Sequence, residues 1–340
     1  MNFLSRAWYR QSAWLWLLLP LSLVVRYVAV RRLRTLQKAS KSGHIEALSC
    51  PVIVVGNLTA GGTGKTPLII ALAHHLKKEG FRPAIISRGY KSQSQRYPLL
   101  VDDSVSVSDS GDEPALIYRH TGCPVVIDPD RAAALRFVRQ HTDATVVLSD
   151  DGLQHFGLAR SYEICVVDPV REFGNGLCLP AGPLREPVSR LQQVDAVVLN
   201  GDAQPDHPLL SSCFRIGLKA EGLVNLSTAE RRPFSAAPFK IGTTIEAVAG
   251  LGNPERFFSL LEDLPHPIQT HRFPVHYQYR SEDFQGAAFS QGNPIVMTEK
   301  DGIKCDSFAD SRFWSLNVEA RVDLDLLTQV SQHVRHFSDH

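Results

Sequence analysis

One stretch between residues 52 and 76 constrains the fold of this chain more than any other. It reads VIVV-GNLTAGGTGKT-PLIIALAHHL: a short apolar run, a glycine-rich turn and an amphipathic segment. Glycines let backbone N–H groups point into a turn unobstructed, and the amino end of a following helix adds a favourable dipole for an anion. This order predicts a strand, a phosphate-binding loop over Thr59–Thr66 and a helix over Pro67–Lys78.

The loop is a variant of the usual pattern G-x-x-x-x-G-K-[ST], because Thr59 stands at the first glycine. Lys65 is placed to reach the β- and γ-phosphates of a nucleotide, and Thr66 to ligate Mg²⁺. ATP is favoured over GTP because the chain has no N/T-K-x-D motif for guanine. A chance glycine turn is the alternative, and the position between a strand and a helix argues against it. The predicted nucleotide-binding residues are Thr59, Ala60, Gly61, Gly62, Thr63, Gly64, Lys65 and Thr66.

Downstream of the loop, short apolar runs alternate with helical stretches, one of them predicted over Asp130–His141. Apolar runs without polar alternation are what a parallel sheet covered on both faces requires. The predicted fold class is therefore α/β, with a doubly wound parallel sheet of the phosphate-loop type and a second, smaller α/β lobe. The predicted strands of the main sheet are Val52–Val55, Ala84–Ser87, Val125–Ile127, Thr145–Leu148, Ile164–Val167 and Ala196–Leu199.

Turn-forming residues between Gly201 and Pro208 (GDAQPDHP) indicate a linker, after which βα units begin again. We divide the chain into a membrane-associated N-terminal helix region (1–45), a phosphate-loop core (46–205) and a second α/β lobe (206–340). The elements predicted for the second lobe are the strands Ala247–Gly250, Ile295–Thr298 and Phe313–Val318 and a helix near Glu255–Leu264.

The overall composition is that of an ordinary globular protein. The 340 residues carry a formal net charge of +1, which gives no sign of a nucleic-acid or polyanionic partner. Six scattered cysteines without a CxxC pair fit a reducing compartment better than a disulfide framework.

The N-terminus departs from this composition. Residues Ala13–Val25 read AWLWLLLPLSLVV, without charge and with arginines on both sides. A cleaved signal peptide has this charge and length, but arginine-rich sequence stands where a small-residue cleavage site belongs. A buried core helix is a second alternative. A membrane-seated helix, with tryptophan at the interface and cations on anionic headgroups, fits best. Because the run is shorter than about 20 residues, we expect partial insertion.

Two pairs of carboxylates are candidates for chemistry around a nucleotide. Asp150 and Asp151 directly follow an apolar run, where phosphate-loop enzymes hold their metal; an acidic turn is the alternative. Asp112 and Glu113 lie together before a helical stretch. From sequence alone, a capping role at that helix is the favoured alternative to catalysis. Three arginines, Arg88, Arg131 and Arg185, are candidate anion clamps, and each could equally be structural.

Taken together, the motifs of the chain resemble those of the tetraacyldisaccharide 4'-kinase family. Only the phosphate loop is a strong signal alone, but eight segments in the same order are very specific. They are VGNLTAGGTGKTP (55–67), SRGY (87–90), GDEP (111–114), DDGLQH (150–155), LPAGPLRE (179–186), GLGNPERFF (250–258), FPVHYQY (273–279) and TEKDGIK (298–304).

The resemblance implies transfer of the γ-phosphate of ATP to the 4'-hydroxyl of tetraacyldisaccharide 1-phosphate, giving lipid IVA in lipid A biosynthesis. It also implies a second lobe that closes over the substrate, and attachment to the cytoplasmic face of the inner membrane. A lipid with four acyl chains leaves a bilayer at a cost of about 0.8 kcal/mol per buried CH₂, so the enzyme has to reach the lipid. No nucleic acid and no obligate protein partner is expected.

The resemblance also implies roles for individual residues. Asp112 in GDEP is the expected base for the 4'-hydroxyl, with His276 in FPVHYQY as its partner from the second lobe. The family pattern at this histidine is F-x-D-H-H, and Val275 and Tyr277 replace the other two polar residues here. Glu113 and Asp150 or Asp151 are expected around Mg²⁺ with Thr66. The residues expected to line the substrate are Arg88, Gln154 and Arg185.

Two other functions compete with this one. A membrane-bound ATPase that changes partners on hydrolysis would account for the phosphate loop, the aspartate pair and the N-terminal helix, but not for the GPLRE and FPVHYQY segments. A soluble small-molecule kinase with a packed N-terminal helix is the other alternative, and it would need no detergent for purification.

Overall fold

The computed structural model describes residues 3–10, 12–41, 48–286, 289–290 and 292–338. The chain forms two compact units. The core unit contains the residues up to Gly217 together with those from Arg321 onward, and the small unit contains Leu218–Ala320. The chain passes from one unit into the other within two strands, one running from Phe214 to Asn225 and the other from Phe313 to Val322.

The core unit contains a mainly parallel sheet with the strand order β8-β7-β6-β1-β5-β2-β4-β3. Among these pairs only β3 with β4 is antiparallel. The strands are β1 (Val52–Gly56), β2 (Pro83–Ser87), β3 (Leu99–Val101), β4 (Val125–Ile127), β5 (Val146–Asp150), β6 (Tyr162–Val167), β7 (Ala196–Asn200) and β8 (Phe214–Asn225).

All residues of β1, β2, β4, β5 and β6 are buried, which requires cover on both faces of the sheet. Val54 of β1 and Ile86 of β2 belong to the same buried cluster as Ala134 and Val138, which come from a helix on that face. The helices of the core unit are α1 (Phe3–Tyr9), α2 (Leu19–Lys41), α3 (Lys65–Lys78), α4 (Val107–Ser110), α5 (Asp112–Thr121), α6 (Arg131–His141) and α9 (Leu324–Ser338).

Local sequence explains where two of these helices begin. The side chain of Asp130 accepts a hydrogen bond from the Ala132 N–H and so caps α6. Gly64 caps α3 in the left-handed conformation, with φ of 79°. The C-terminal helix α9 packs on α3 through a 2.7 Å hydrogen bond between His75 Nε2 and Ser331 Oγ.

The small unit is a second α/β arrangement, with the strand order β11-β10-β12-β13-β8 and β9 paired antiparallel with β8. Strand β10 pairs in parallel with both β11 and β12, and β12 pairs in parallel with β13. Its elements are β9 (Arg231–Pro233), β10 (Ile245–Ala249), α7 (Glu255–Leu261), β11 (Ile268–Arg272), β12 (Ile295–Thr298), α8 (Glu299–Gly302) and β13 (Phe313–Val322).

The N-terminal region folds as α1, a 3₁₀ turn over Ala13–Leu18, and the long helix α2. Within the described residues one stretch, Ala13–Thr35, is long and apolar enough to cross a membrane. One face of it is exposed, with Leu17 at 83%, Leu21 at 58% and Val24 at 59%. The opposite face, which includes Leu15 and Ser22, is buried against the core unit.

The predicted α/β class and its mostly parallel sheet are confirmed. Each predicted strand coincides with an observed strand to within two residues at either end, except that β13 extends four residues beyond the predicted Val318. The elements that sequence patterns missed are the strands β3, β8, β9 and β11 and the helices α4, α8 and α9. The three predicted domains remain predictions. By compactness, residues 206–217 and 321–340 group with the core unit rather than with Leu218–Ala320.

Candidate functional site

The candidate site lies where three parallel strands of the core unit end together. Strand β5 is flanked by β1 and β2, with Val55 opposite Asp150 and Ile86 opposite Ser149. Because the strands are parallel, the segments that follow them leave the sheet at the same edge. The phosphate-binding loop, Asp151 and Arg88 therefore emerge side by side.

The phosphate-binding loop depends on glycine where it enters α3. Gly64 has a φ of 79°, and a Cβ atom there would lie 1.8 Å from the side-chain nitrogen of Asn200. That nitrogen, Asn200 Nδ2, donates a 2.7 Å hydrogen bond to the carbonyl oxygen of Thr63. Strand β7 thus supports the loop from beside it, and no larger residue fits at position 64 without displacing this contact.

Asn57 organises the same loop from the end of β1. Its Nδ2 donates to the carbonyl oxygen of Thr59 at 2.8 Å and to that of Gly61 at 3.3 Å. Its Oδ1 accepts a 3.1 Å hydrogen bond from Lys65 Nζ. One buried amide therefore fixes the loop backbone and the direction of the lysine. Asn57 is not among the residues predicted for the site, although its position directly after β1 and before the loop is a usable signal in the sequence.

Asp151 holds the centre of the charge network. Its carboxylate lies 3.2 Å from Lys65 Nζ and 3.0 Å from an Arg185 guanidinium nitrogen. Burial opposes ionisation of this carboxyl, but the two cations outweigh burial and hold its pKa well below the usual range. The residue has a left-handed φ of 49°, so the chain turns away from the sheet edge at this point.

The neighbouring Asp150 has the opposite electrostatics. It is the last residue of β5, only 2% exposed, and its Oδ2 accepts a 3.0 Å hydrogen bond from Ser87 Oγ. Its Oδ1 is buried and has no hydrogen-bond partner among the described residues. Burial and the nearby charge of Glu113 raise the pKa of Asp150 to about 7, although Lys65 opposes the shift.

A divalent cation fits this arrangement. An unpartnered, buried carboxylate oxygen is a site where a hard cation removes an electrostatic cost, and oxygen is the ligand that Mg²⁺ prefers. Among the described residues, no three His, Cys, Asp or Glu side chains could hold a metal by themselves. Mg²⁺ would therefore need other oxygens as well, and the Thr66 hydroxyl and nucleotide phosphates are the ones a phosphate-loop site supplies.

Asp112 and Glu113 are the first two residues of α5. Asp112 is buried, and Gly111 before it has a φ of 89°. The charge of Glu113 acts on Asp150, which places these two carboxylates in one electrostatic neighbourhood. Glu113 therefore lies near enough to Asp150 to affect its ionisation, and its role as a metal ligand remains a prediction. The N-cap residue of α5 is Gly111, so Asp112 lies in the first turn of the helix and does not occupy the capping position itself.

The three candidate arginines differ in their surroundings. Arg131 is buried and donates to the backbone carbonyl of Asp150 at 2.9 Å, which is a structural contact at the base of the site. Arg88 is exposed just after β2. Arg185 contacts Asp151, as described, and also donates to Gln154 Oε1 at 3.2 Å.

The segment around Arg185 is tied closely to the phosphate-binding loop. The Ala60 N–H donates to the Pro183 carbonyl at 2.7 Å, and the Arg185 N–H to the Leu58 carbonyl at 2.6 Å. Gln154 Nε2 donates to Glu186 Oε1 at 2.7 Å. Burial raises the pKa of Glu186, while its contacts with Gln154 and Arg190 oppose the shift. The LPAGPLRE segment, for which sequence alone indicated no mechanism, therefore packs beside the phosphate-binding loop and holds its backbone by hydrogen bonds.

His276 lies in the small unit, in the turn that follows β11, and has a left-handed φ of 60°. The next residue, Tyr277, donates from its hydroxyl to Asp283 Oδ1 at 3.0 Å. Tyr277, which stands where the family pattern has a second histidine, thus has a structural contact of its own. The roles predicted for His276 and for the other site residues remain predictions.

Three motifs of the small unit are joined by one buried carboxylate. Asp301 Oδ2 accepts hydrogen bonds from the Gly250 N–H at 2.9 Å and from Thr298 Oγ1 at 2.8 Å. Lys304 Nζ lies 2.8 Å from Asp301 Oδ1 and also 4.9 Å from the ring centroid of Tyr279. GLGNPERFF, FPVHYQY and TEKDGIK are therefore neighbours at the carboxyl ends of β10, β11 and β12.

Comparison with known proteins gives a consistent result. The family model described as tetraacyldisaccharide-1-P 4'-kinase matches residues 14–335. A tetraacyldisaccharide 4'-kinase of Hahella chejuensis is 45% identical over 343 aligned positions, covering 99% of this chain and 98% of that protein. One from Nitrosococcus oceani is 44% identical over 331 positions, covering 97% and 93%. Among solved structures, LpxK from Aquifex aeolicus in complex with ATP matches with a TM-score of 0.72 and 28% identity, covering 93% of this chain and 98% of that one.

The environment of Asp150 predicts a pH-dependent stability for the protein without a divalent cation. Because the pKa is raised on folding, ionisation of Asp150 costs stability progressively from about pH 4 upward, and fully above pH 7. We expect Asp150→Asn to raise the free energy of unfolding by roughly 1–3 kcal/mol at pH 8 and by much less at pH 4.5. Denaturant unfolding in EDTA at both pH values measures this, with the exposed Asp103→Asn as control. A gain that is equal at both pH values would contradict the assignment.

Proposed function

The chain belongs to the tetraacyldisaccharide 4'-kinase family, and on that premise we propose that it transfers the γ-phosphate of ATP to the 4'-hydroxyl of tetraacyldisaccharide 1-phosphate. The product is lipid IVA, and the pathway is lipid A biosynthesis. At the level of the site, the proposal rests on the two side chains that contact the ammonium group of Lys65. Asn57 and Asp151 both orient its ammonium group at the edge where β1 and β5 end.

The proposed nucleotide site is the loop from Thr59 to Thr66. The loop N–H groups and the amino end of α3 bind phosphate oxygens, and Lys65 neutralises the charge of the β- and γ-phosphates. Asp151 and Asn57 hold the lysine in place before the nucleotide arrives. The ammonium group therefore needs little reorganisation when a phosphate becomes its third partner.

We propose that Thr66 and Glu113, together with Asp150 or Asp151, hold Mg²⁺ with the nucleotide. When bound, the ion supplies positive charge that polarises the phosphate oxygens during transfer. The buried, unpartnered oxygen of Asp150 supports its inclusion. Asp151 already has two cationic partners, so Lys65 and Arg185 would have to share it with the ion.

Asp112 is the proposed base that accepts the proton of the 4'-hydroxyl, and we retain His276 as its proposed partner. Burial of Asp112 at the start of α5, beside the proposed metal ligand Glu113, supports a role in the site rather than at the surface. Arg88, Arg185 and Gln154 are proposed to contact the substrate. The exposed guanidinium of Arg88 suits an anionic group such as a sugar phosphate.

We further propose that the protein acts at the cytoplasmic face of the inner membrane. The exposed apolar face of Ala13–Thr35 supports contact with the bilayer, and the arginines in the second half of this stretch suit anionic headgroups. A membrane-seated enzyme reaches a lipid acceptor without extracting its acyl chains into water.

Label transfer from γ-labelled ATP, with Mg²⁺ and tetraacyldisaccharide 1-phosphate in mixed micelles, tests the function. We expect label on the lipid by thin-layer chromatography, and its loss in Lys65→Ala because the phosphates lose their neutralising ammonium. The matched control is Lys78→Ala, an exposed lysine at the other end of α3. Label released only as free phosphate would instead support an ATPase that changes partners.

The base assignment predicts a separation of binding from chemistry. Asp112→Asn should lower transfer by at least about 100-fold, the scale of general-base catalysis, while the affinity for ATP stays within about twofold. Glu113→Gln is the matched neighbour, and we expect it to raise the Mg²⁺ concentration needed for half-maximal rate. Single-turnover transfer at saturating Mg²⁺, combined with nucleotide-binding titrations, distinguishes the two. Near-normal transfer by Asp112→Asn would exclude it as the base.

Membrane contact through the exposed face predicts a loss of vesicle binding when that face is made polar. The combined change Leu17→Ser, Leu21→Ser and Val24→Ser should lower partitioning to anionic vesicles at least about tenfold, since each apolar side chain contributes roughly 1.5–3 kcal/mol. The control variant, Leu17→Val with Leu21→Val, keeps the face apolar. Co-flotation with vesicles measures the bound fraction, and full retention of the serine variant would remove this face from the membrane contact.

A further inference from the structure

We propose that the N-terminal helices α1 and α2 also support the nucleotide site. Trp8 of α1 and Ser22 of α2 position residues 177–185, and these residues in turn hold the phosphate-binding loop. The inference rests on the proposed function only in taking Thr59–Thr66 as the ATP loop. The segment from residue 177 to residue 185 is called the bracing loop below. Ser22 and Trp8 are positioning residues, because they act through this loop.

Ser22 is the polar exception in an apolar helix. It is 2% exposed, on the face of α2 turned towards the core unit. Its hydroxyl donates to the Cys178 carbonyl at 2.8 Å and accepts from the Ala181 N–H at 2.9 Å. One side chain thus satisfies a buried donor and a buried acceptor on either side of the same turn. Removing the hydroxyl leaves both groups without this partner.

A second contact fixes the same turn from α1. Trp8 Nε1 donates to the Pro180 carbonyl at 2.9 Å, so three successive points of the bracing loop are bound to the N-terminal region. Trp8 also packs with Ala7 and Leu15 in a small apolar cluster. Ala60, inside the phosphate-binding loop, packs against that cluster. The N-terminal region therefore touches the nucleotide loop directly as well as through the bracing loop.

The backbone of the bracing loop connects these contacts to the phosphate-binding loop. It pairs with the phosphate-binding loop through a bridge between Thr59 and Leu184, as well as through the bonds from Pro183 and Arg185 described above. Gly182 has no room for a side chain, because a Cβ atom would lie 2.2 Å from the Leu177 carbonyl oxygen. A turn packed this closely moves as a unit, so a shift at Ser22 displaces the backbone beside Thr59 and Ala60.

The same loop ends at the charge network of the site. Arg185, its last residue, contacts the Asp151 carboxylate that holds Lys65. Displacement of the bracing loop therefore alters both the loop amides and the position of the lysine. These are the two features by which the site binds nucleotide phosphates, so the expected defect is in affinity for ATP. The exposed face of the helix, with Leu17 and Leu21, plays no part in these contacts.

The test removes one hydroxyl from each of two places on α2. Ser22→Ala deletes the contact to the bracing loop. Thr35→Ala deletes a hydroxyl whose 3.0 Å hydrogen bond goes to Arg31 of the same helix. Full-length variants in detergent are titrated with a non-hydrolysable MgATP analogue, and KM values for ATP and for the lipid are measured separately. We expect Ser22→Ala to raise Kd and KM for ATP roughly three- to tenfold, the scale of one or two net hydrogen bonds. Vesicle binding should not change, because the exposed apolar face is intact.

Trp8→Phe is the second variant, since it removes the indole N–H while keeping an aromatic ring in the cluster, and it should weaken ATP binding in the same sense. Unchanged ATP affinity in both variants would overturn the proposal. An equal loss of ATP affinity in Thr35→Ala would overturn it too, because the effect would then not depend on the contact with the bracing loop. A parallel loss of vesicle binding in Ser22→Ala would also overturn it, because the helix would then act only as an anchor. Nucleotide binding is measured without acceptor, so a wrong acceptor would appear only in the label-transfer assay.

Discussion

The Asp151 carboxylate, held between Lys65 and Arg185, is the interaction on which the rest of the site depends. It joins three segments that are far apart in sequence: the phosphate-binding loop, the turn after β5 and the bracing loop. A partly buried charge is stable only when its partners stay in place, so this ion pair network penalises movement of any one segment. Asn57 and Gln154 surround it with hydrogen bonds that further restrict the cations.

Two adjacent aspartates thereby acquire opposite properties from their surroundings. Asp151 is ionised at any physiological pH because cations face it, whereas burial and Glu113 raise the pKa of Asp150 to about 7, so this carboxyl is only partly ionised at neutral pH. A divalent cation gains little by competing for a charge that is already neutralised, and more by ionising one that is not. This difference favours Asp150 as the more metal-dependent of the two carboxylates and leaves Asp151 as the organiser of Lys65.

Sequence patterns predicted those parts of the structure that are formed by residues close together in the chain. Strand β1, the loop and helix α3 form one continuous segment whose apolar periodicity and glycines are sufficient evidence. Strand β8 was missed because its burial is irregular over twelve residues, so it shows neither a continuous apolar run nor a clean alternation. Partners such as Ser22 and Cys178 are 156 residues apart. No local pattern encodes a contact of that kind, because it arises only when the bracing loop has folded against the helix.

The N-terminal helix shows why its sequence pointed to two incompatible interpretations. A buried core helix and a membrane-seated helix were alternatives, yet each describes one face: Leu15 and Ser22 are buried, while Leu17 and Leu21 are exposed. An anchor needs only an apolar exterior, and many sequences provide that. The inward face is far more restricted, because Ser22 must meet a donor and an acceptor of one turn at hydrogen-bonding distance. On the proposed roles of the two faces, another apolar helix could replace this one as an anchor but not as a support for the nucleotide loop.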